Sequence, residues 1–377
     1  MRFLHTADWH LGRSLHGESL LDAQAAIIEH TACVARDQQV DCVVLAGDVF
    51  DRAMPPGDAV ALWDDAQAQI RAVCPLIVIS GNHDSATRLG MNRRLLDGLG
   101  LHIRTEAATI GQPIVIDDTC IYAIPYLEPD VVRAELGCEE RGHEAVLTSA
   151  MRQIRADLAG RPAGCRSVVV AHAFVTGAEV SSSERDLSVG GSASVAAGIF
   201  KGTDYLALGH LHGPQRVASI GRYAGSPLAF SFSEQHQTKS IAVVDLGPPE
   251  PVVELIATPV PRPLATITGE IETLLTDPAL AVHEQSWVQA IVTDAGRPID
   301  AMARVQKRFP HARVLEHRPQ GAVPLPENDF GARLETLGDV ELMLDFVERL
   351  RGTEASDDER ALLENALAAG RAAEVAV

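Results

Sequence analysis

Along its first 212 residues the chain repeatedly ends a strand-length apolar run on a cluster of carboxylates, amides or imidazoles. Arg2 to His5 leads into Asp8-Trp9-His10, and Val40 to Ala46 leads into Gly47-Asp48. Leu76 to Ser80 precedes Gly81-Asn82-His83-Asp84, Val168 to Ala171 precedes His172, and Tyr205 to Leu208 precedes Gly209-His210-Leu211-His212. Short apolar runs bounded by turn residues predict buried strands. In α/β sheets, ligand sites collect at the carboxyl ends of the strands. The pattern therefore predicts one edge that gathers Asp8, His10, Asp48, Asn82, His83, His172, His210 and His212. Residues i and i+2 of an extended chain point the same way, so Asp8 and His10 are expected to face one ion together.

Taken singly, each cluster is ordinary. Gly-Asp after a strand is usually a turn, and Gly-Asn-His-Asp suits a turn followed by a helix N-cap. One buried histidine more often makes a hydrogen bond than ligates. Gly-His-x-His is the most informative piece, because a bland strand rarely offers two imidazoles on one face. The conjunction of all five clusters argues for a site. Imidazole combined with carboxylate and amide oxygen suits Mn, Fe or Zn, whereas an all-oxygen set would suit Mg or Ca. Two such ions about 3.5–4 Å apart can clamp a phosphodiester and activate water.

Helical spacing over Leu21–Gln38 and Asp58–Val73 alternates with the first strands, a rhythm that favours a buried sheet covered by helices. After Leu101, short strands are expected at Ile114–Ile116, Cys120–Ile124, Ser167–Ala171, Tyr205–Leu208, Arg222–Tyr223, Ser240–Asp245 and Val252–Ala257. One helix, Glu144–Leu158, is expected among them. The expected fold is α/β: two sheets packed face to face with outer helices. Prolines at 248–249 and 259–263 bracket the last strand and mark a boundary. A first domain is thus expected over 1–258, a small α/β domain over 264–325 and C-terminal helices over 335–377. The small domain reads helix Ile271–Leu275, strand Trp287–Val292, helix Asp300–Phe309 and strand Arg313–His317, followed by a loop from Pro319 to Pro326. Helices are expected at Asp339–Arg351 and from Ser356, where Ser356 and Glu359 form a capping box. The apolar face of that last helix fits either packing on its own domain or a docked partner.

Charge and composition narrow the function. Asp and Glu number 51 against 32 Lys and Arg, a formal net charge of -19. Such a chain repels polyanions at long range, which counts against a basic clamp for DNA or anionic membrane. It does not exclude phosphates met by metal ions or a local basic surface. No apolar run reaches the roughly 18 residues of a membrane helix, and the first residues turn polar too soon for a signal peptide. Cys33, Cys42, Cys74, Cys120, Cys138 and Cys165 are scattered without a C-x-x-C motif. They read as reduced, mostly buried thiols of a cytoplasmic protein.

Asp8-x-His10, Gly47-Asp48, Gly81-Asn82-His83-Asp84, His172 and Gly209-His210-x-His212 together resemble the five motifs of the calcineurin-like metallophosphoesterases. The resemblance covers roughly residues 1 to 245. Thr6 to Gly12, Gly47 to Asp51, Ser183-Glu184-Arg185 with Val189-Gly190-Gly191, Asp204 to His212 and Tyr223 to Leu228 resemble the SbcD family, nuclease subunits of bacterial SbcCD complexes. That likeness implies a metallophosphoesterase β-sandwich, a capping domain and C-terminal helices that hold an SbcC-type ATPase. It implies two divalent metal ions, with Mn²⁺ expected. Asp48 would bridge them, with Asp8, His10 and His212 completing one shell and Asn82, His172 and His210 the other. His83 would serve the phosphate as proton donor or charge stabiliser, with Asp84 positioning it and Asp51 a weaker candidate for the same support. His5 is read as structural; His16, His236 and Ser182–Glu184 are candidates for the border of a DNA channel. The implied activity is exonuclease and hairpin or blocked-end endonuclease in DNA repair and recombination, by a homodimer within a heterotetramer. A cyclic-nucleotide phosphodiesterase or protein phosphatase on the same fold, or a non-catalytic scaffold, remain the competing readings.

Overall fold

The computed structural model describes residues 1–184, 194–320, 337–351 and 353–375. Arg185 and Val189–Gly191 of the SbcD-like motif, and the loop from residue 321 to Pro326, lie outside the described residues. The chain divides into two compact units, Met1–Leu264 and Ala265–Val377.

In the first unit the strands are β1 (Arg2–Thr6), β2 (Ser14–Leu15), β3 (Glu18–Ser19), β4 (Cys42–Ala46), β5 (Leu76–Ile79), β6 (Leu101–Arg104) and β7 (Ile114–Ile116). They continue with β8 (Thr119–Ile124), β9 (Arg166–His172), β10 (Tyr205–Gly209), β11 (Gln215–Val217), β12 (Gly221–Tyr223), β13 (Ser240–Asp245) and β14 (Val252–Ala257). The helices are α1 (Leu21–Asp37), α2 (Gly57–Arg71), α3 (Ala86–Leu89), α4 (Arg93–Asp97), α5 (Pro129–Val132) and α6 (His143–Leu158). Two six-stranded sheets result, ordered β14-β13-β1-β4-β5-β6 and β11-β12-β10-β9-β8-β7. β1, β4, β5 and β6 run parallel, as do β8, β9, β10 and β12. Antiparallel strands β13, β7 and β11 join these parallel centres.

The strands are apolar on both faces, and alternate residues serve different layers. Cys42, Val44 and Ala46 of β4 meet Val168, Val170 and Ala207 between the sheets. Val43 and Leu45 instead face Ile28, Ala32, Trp63 and Ala66 of α1 and α2. On the other sheet Val169, Leu206 and Leu208 pack on Val146, Ala150 and Ile154 of α6. The i, i+4 and i+7 spacing of Ala59, Trp63 and Ala66 gives α2 its buried face. Each fully buried Val or Leu contributes roughly 1.5–3 kcal/mol, so the strand ends stand on a rigid base.

The expected two-sheet α/β architecture is present. The hairpin β2–β3 and the strands β6 and β11 were not legible, being only two to four residues long. All six cysteines are free thiols, and Cys42, Cys74 and Cys120 are buried.

The second unit carries β15 (Leu264–Gly269), α7 (Ile271–Thr276), β16 (Trp287–Val292), α8 (Ala301–Arg308) and β17 (Ala312–His317), with the sheet order β15-β16-β17. β15 is a strand that the sequence reading did not expect, starting directly after the prolines of the linker. Its buried Ala265 and Ile267 alternate with more exposed residues, a weak signal beside three prolines. Two helices follow, α9 (Asp339–Arg351) and α10 (Asp357–Val375). At the start of α10 the Ser356 N–H donates to Glu359 at 2.8 Å and the Glu359 N–H donates to Ser356 Oγ at 3.3 Å, the expected capping box. No described helix is long and apolar enough to cross a membrane.

Candidate metal centre

The loops that leave β1 and β4 stay zipped together beyond the sheet. Asp8 N–H donates to Gly47 O and His10 N–H to Asp48 O, both at 3.0 Å. Asp8, His10 and Asp48 adopt φ of 54°, 45° and 50°, and His210 adopts 106°. These are left-handed values that non-glycine residues avoid, at a cost of about 1–3 kcal/mol each. Asp8 and His10 thus turn to the same side through two left-handed residues, not through the extended alternation expected from the sequence. Glycine is required where the loops close in. A Cβ on Gly81 would lie 2.1 Å from Asp48 Oδ1, and one on Gly209 would lie 1.9 Å from Ala46 O.

Asp48 stands between two groups of ring nitrogens. Its Oδ2 is 3.7 Å from His10 Nε2 and 3.5 Å from His172 Nε2. On one side, His10 Nε2 and His212 Nε2 are 3.1 Å apart. Asp8 belongs with this pair, the three ligand atoms lying within 4.8 Å of one another. On the other side, Asn82 Oδ1 is 2.9 Å from His172 Nε2 and 3.3 Å from His210 Nδ1. The Asp8 carboxylate also accepts the His210 N–H at 3.0 Å, tying the first strand of one sheet to the last ligand loop of the other.

All of these groups are buried apart from Asn82, which is half-buried. Burial pulls His10 well below the usual imidazole range, against the attraction of Asp48, and presses His210 down to about 3, helped by His172. Burial raises Asp8 against the charge of His172. Burial also opposes the charge on Asp48, but His172, His10 and His83 outweigh it and hold that carboxyl low. His172 is the reverse case: burial lowers it, yet Asp48 and Asp8 lift it to about 9.

The donor set fits divalent metal. His172 Nδ1 donates to Ala46 O at 3.0 Å, so its Nε2 is the nitrogen turned to Asn82 and Asp48. Asn82 Oδ1, Asp48 Oδ2 and the facing ring nitrogens then converge on each point, an arrangement that calls for positive charge among them, from a protonated His172 or from a metal ion. His10 Nδ1 and Asn82 Nδ2 are buried without hydrogen-bond partners, consistent with side chains placed for another purpose.

Residues around the ligand groups hold the loops. His83 N–H donates to Asp48 Oδ1 at 2.8 Å, and His83 Nδ1 donates to Asp51 O at 2.7 Å. The Asp51 carboxylate lies 3.8 Å from His10 Nδ1 and 3.4 Å from Arg13. Asp84 accepts N–H groups of Val49, Phe50 and Gly81 at 2.9–3.1 Å, joining two ligand loops. Burial and the neighbouring Asp48 push Asp84 up to about 7, against those three bonds. His5 sits behind the site between Tyr205 Oη and Leu208 O, and burial holds it near pKa 3. His16 packs on Phe232 and His236 is exposed.

Some neighbours escaped the sequence reading, and others were named there without the role they take here. Phe230 packs on His10 and His212 at 5.3 and 5.4 Å between ring centres. Tyr223 Oη donates to Ala173 O and accepts from Val175 N–H, which pins the chain just after His172. Ser183 and Glu184, candidates for a channel border, bond to His212. Glu234 and Lys239 form a buried ion pair behind them. Nothing in the spacing of these residues marks a site; they converge only in the fold.

Comparison with known proteins accords with this geometry. The calcineurin-like phosphoesterase family model matches residues 1–214, and the type 5 capsule protein repressor C-terminal domain model matches residues 260–368. The chain is 36% identical over 265 residues to the SbcD subunit of the SbcCD nuclease of Bacillus subtilis (strain 168), covering 66% of this chain and 67% of that protein. Among solved structures it is similar to TT1561 of Thermus thermophilus, with TM-score 0.41 and 12% identity over 67% of this chain and 98% of that one. A dimetal phosphatase from Danio rerio is similar with TM-score 0.40 and 15% identity, over 68% of this chain and 96% of that one. The chain belongs to the calcineurin-like phosphoesterase family, and within it to the SbcD group: a metal-dependent hydrolase of a fold that implies two divalent ions.

Proposed function

We propose that the protein is an Mn²⁺-dependent DNA phosphodiesterase, acting as exonuclease and as endonuclease on hairpins and blocked ends. It would work in the cytoplasm with an SbcC-type ATPase, as a homodimer within a heterotetramer, in DNA repair and recombination. The observation that carries the reading is the place of Asp48, whose one oxygen lies within 3.7 Å of ring nitrogens on both sides. In this reading Asp48 would serve both ions; Asp8, His10 and His212 would hold one, and Asn82, His172 and His210 the other. When bound, the ions supply the charge that draws in phosphate and the activation of water. The division of labour assigns hydrolysis to residues 1–258, a capping-type domain to 264–325 and partner docking to 335–377.

The chain's own residues do the rest. Asp84 holds the loops of Asp48 and His83 in register through three backbone N–H groups. Asp51 O fixes the His83 proton on Nδ1, so exchange with the leaving oxygen takes place at Nε2. Phe230 and the buried faces of the ligand rings keep bulk water from the donor atoms. The -19 charge of the chain then concerns solubility and weak unaided DNA binding, with affinity drawn from the ions and the partner.

The test replaces Asp48 with Asn and, separately, His83 with Ala, and compares hairpin DNA with a small phosphodiester and a phosphopeptide, all with Mn²⁺. Hairpin cleavage should fail in both folded variants. Parental-rate cleavage by either would remove its role. A preference for the small diester or phosphopeptide would move the protein to another substrate class. Copurification with an SbcC-type ATPase should be lost when residues 335–377 are deleted.

A further inference from the structure

Behind His212 runs a chain of buried and half-buried hydrogen bonds whose direction follows from the donors and acceptors along it. Lys239 Nζ donates to Glu234 Oε2 at 2.5 Å, and also to His212 O at 2.8 Å and Ser226 Oγ at 3.0 Å. Glu234 is 1% exposed and Lys239 3%. The other oxygen of Glu234 accepts the Ser183 hydroxyl at 2.5 Å, the Ser231 hydroxyl at 3.2 Å and the Phe230 N–H at 3.3 Å. The Lys239 ammonium against Oε2 stabilises the charge of this carboxylate. The carboxylate is therefore ionised and only accepts.

A serine has one hydroxyl proton, and Ser183 spends it on Glu234. Its oxygen must then accept from His212 Nδ1, 2.6 Å away. That forces the proton of neutral His212 onto Nδ1. The Nε2 lone pair is left facing His10 Nε2, 3.1 Å distant, inside the ligand cluster. The backbone of His212 is gripped as well: its N–H donates to Glu184 at 2.6 Å, and its carbonyl accepts from Lys239 and from Ser226 N–H. A simple buried ion pair would fill this space with no need for a serine between it and the ring. The residues come from three separate stretches, 183–184, 226–239 and 212, and converge around this ring.

We propose that Ser183, Glu234 and Lys239 are positioning residues that set the tautomer and orientation of His212 for divalent metal. The inference rests on the reading of His212 as a metal ligand, but the tautomer itself does not depend on it. Partners of this kind raise the basicity of a ligating ring, and their loss typically costs about 10–100-fold in metal affinity.

The test uses the full chain with ¹⁵N-labelled histidine and Mn²⁺ or, for spectra, diamagnetic Zn²⁺ as the probe. In the metal-free parent, two-bond ¹H–¹⁵N spectra should show His212 as the Nδ1–H tautomer. Ser183→Ala should give a mixed or Nε2–H signal and weaken Mn²⁺ binding by about 10–100-fold in calorimetry. Ser183→Thr, which keeps the hydroxyl, should restore both. Glu234→Gln should act like Ser183→Ala; should it fail to fold, the serine pair still decides. An unchanged tautomer in Ser183→Ala, or Mn²⁺ affinity within about twofold of the parent, would overturn the proposal. If the parent shows the Nδ1–H tautomer yet binds no divalent ion, the fault lies with the metal reading and not with the relay.

Discussion

The two units solve the same packing problem with opposite treatments of polar groups. Both build a sheet covered by helices on an apolar core. In residues 1–264 the buried set also includes Asp8, His10, Asp48, His83, His172, His210, His212, Glu234 and Lys239. In the second unit, among the described residues, Ser286 is the buried polar residue, and the core is Ile267, Leu274, Val288, Val292, Val305 and Phe309. Backbone strain divides the same way. In the first unit Asp8, His10, Asp48 and His210 are left-handed together at one edge, besides single turns at His16, Gln39, Asn92, Asp117 and Ala218, whereas in the second Asp300 alone is so among described non-glycine residues, at the start of α8. Buried charge and strain persist only where the surroundings over-determine them. The contrast says that the first unit gives up stability at its strand ends for chemistry, and that the second does not.

The sharpest way to break this contrast is to remove one atom's charge at the site. Asp48→Asn should lower phosphodiester hydrolysis by about a thousandfold, roughly 4 kcal/mol, while the second unit melts as before. Steady-state kinetics and thermal scans read both halves. The next effect is confined to the other side. Leu274→Ala, in an apolar core, should cost about 3 kcal/mol of stability in denaturant titration. It should leave calorimetric Mn²⁺ binding at residues 1–264 unchanged; weakened binding would break the contrast.

Metal itself should discriminate. At a hundred times its dissociation constant, Mn²⁺ should stabilise the folded state by about 2.7 kcal/mol. Hydrogen exchange should slow in the amides of the loops after β1, β4 and β9 and stay level in β16. Equal protection of both units would contradict a site confined to the first. The smallest effect is expected of Asp84→Asn. An amide offers one oxygen where the carboxylate accepts three N–H groups, so a loss of about 1–2 kcal/mol should appear in thermal unfolding.

What the sequence made legible follows the same division. Strand-end clusters are readable because a buried strand is a local pattern and its polar terminus breaks that pattern. Asp48, Asn82 and His172 therefore stand out in the sequence alone. The left-handed turn at Asp8 and His10 was not readable, since φ is set by hydrogen bonds to Gly47 O and Asp48 O across the sheet. The grip on His212 was invisible for a related reason. Ser183 lies in a stretch that the family resemblance picks out, but it and Glu234 are 51 residues apart and nothing local joins either to His212. In the second unit, α7, β16 and α8 followed from periodicity, but β15 hid beside prolines because half its residues are only partly buried.

The central claim is that both sheets deliver their ligands to two ions joined by Asp48. Anomalous diffraction from crystals of the full chain grown with Mn²⁺ tests it most directly. The account predicts two Mn²⁺ peaks about 3.5–4 Å apart, with Asp48 touching both, His10 and His212 on one, and Asn82, His172 and His210 on the other. A single peak, or ions seated away from Asp48, would contradict it.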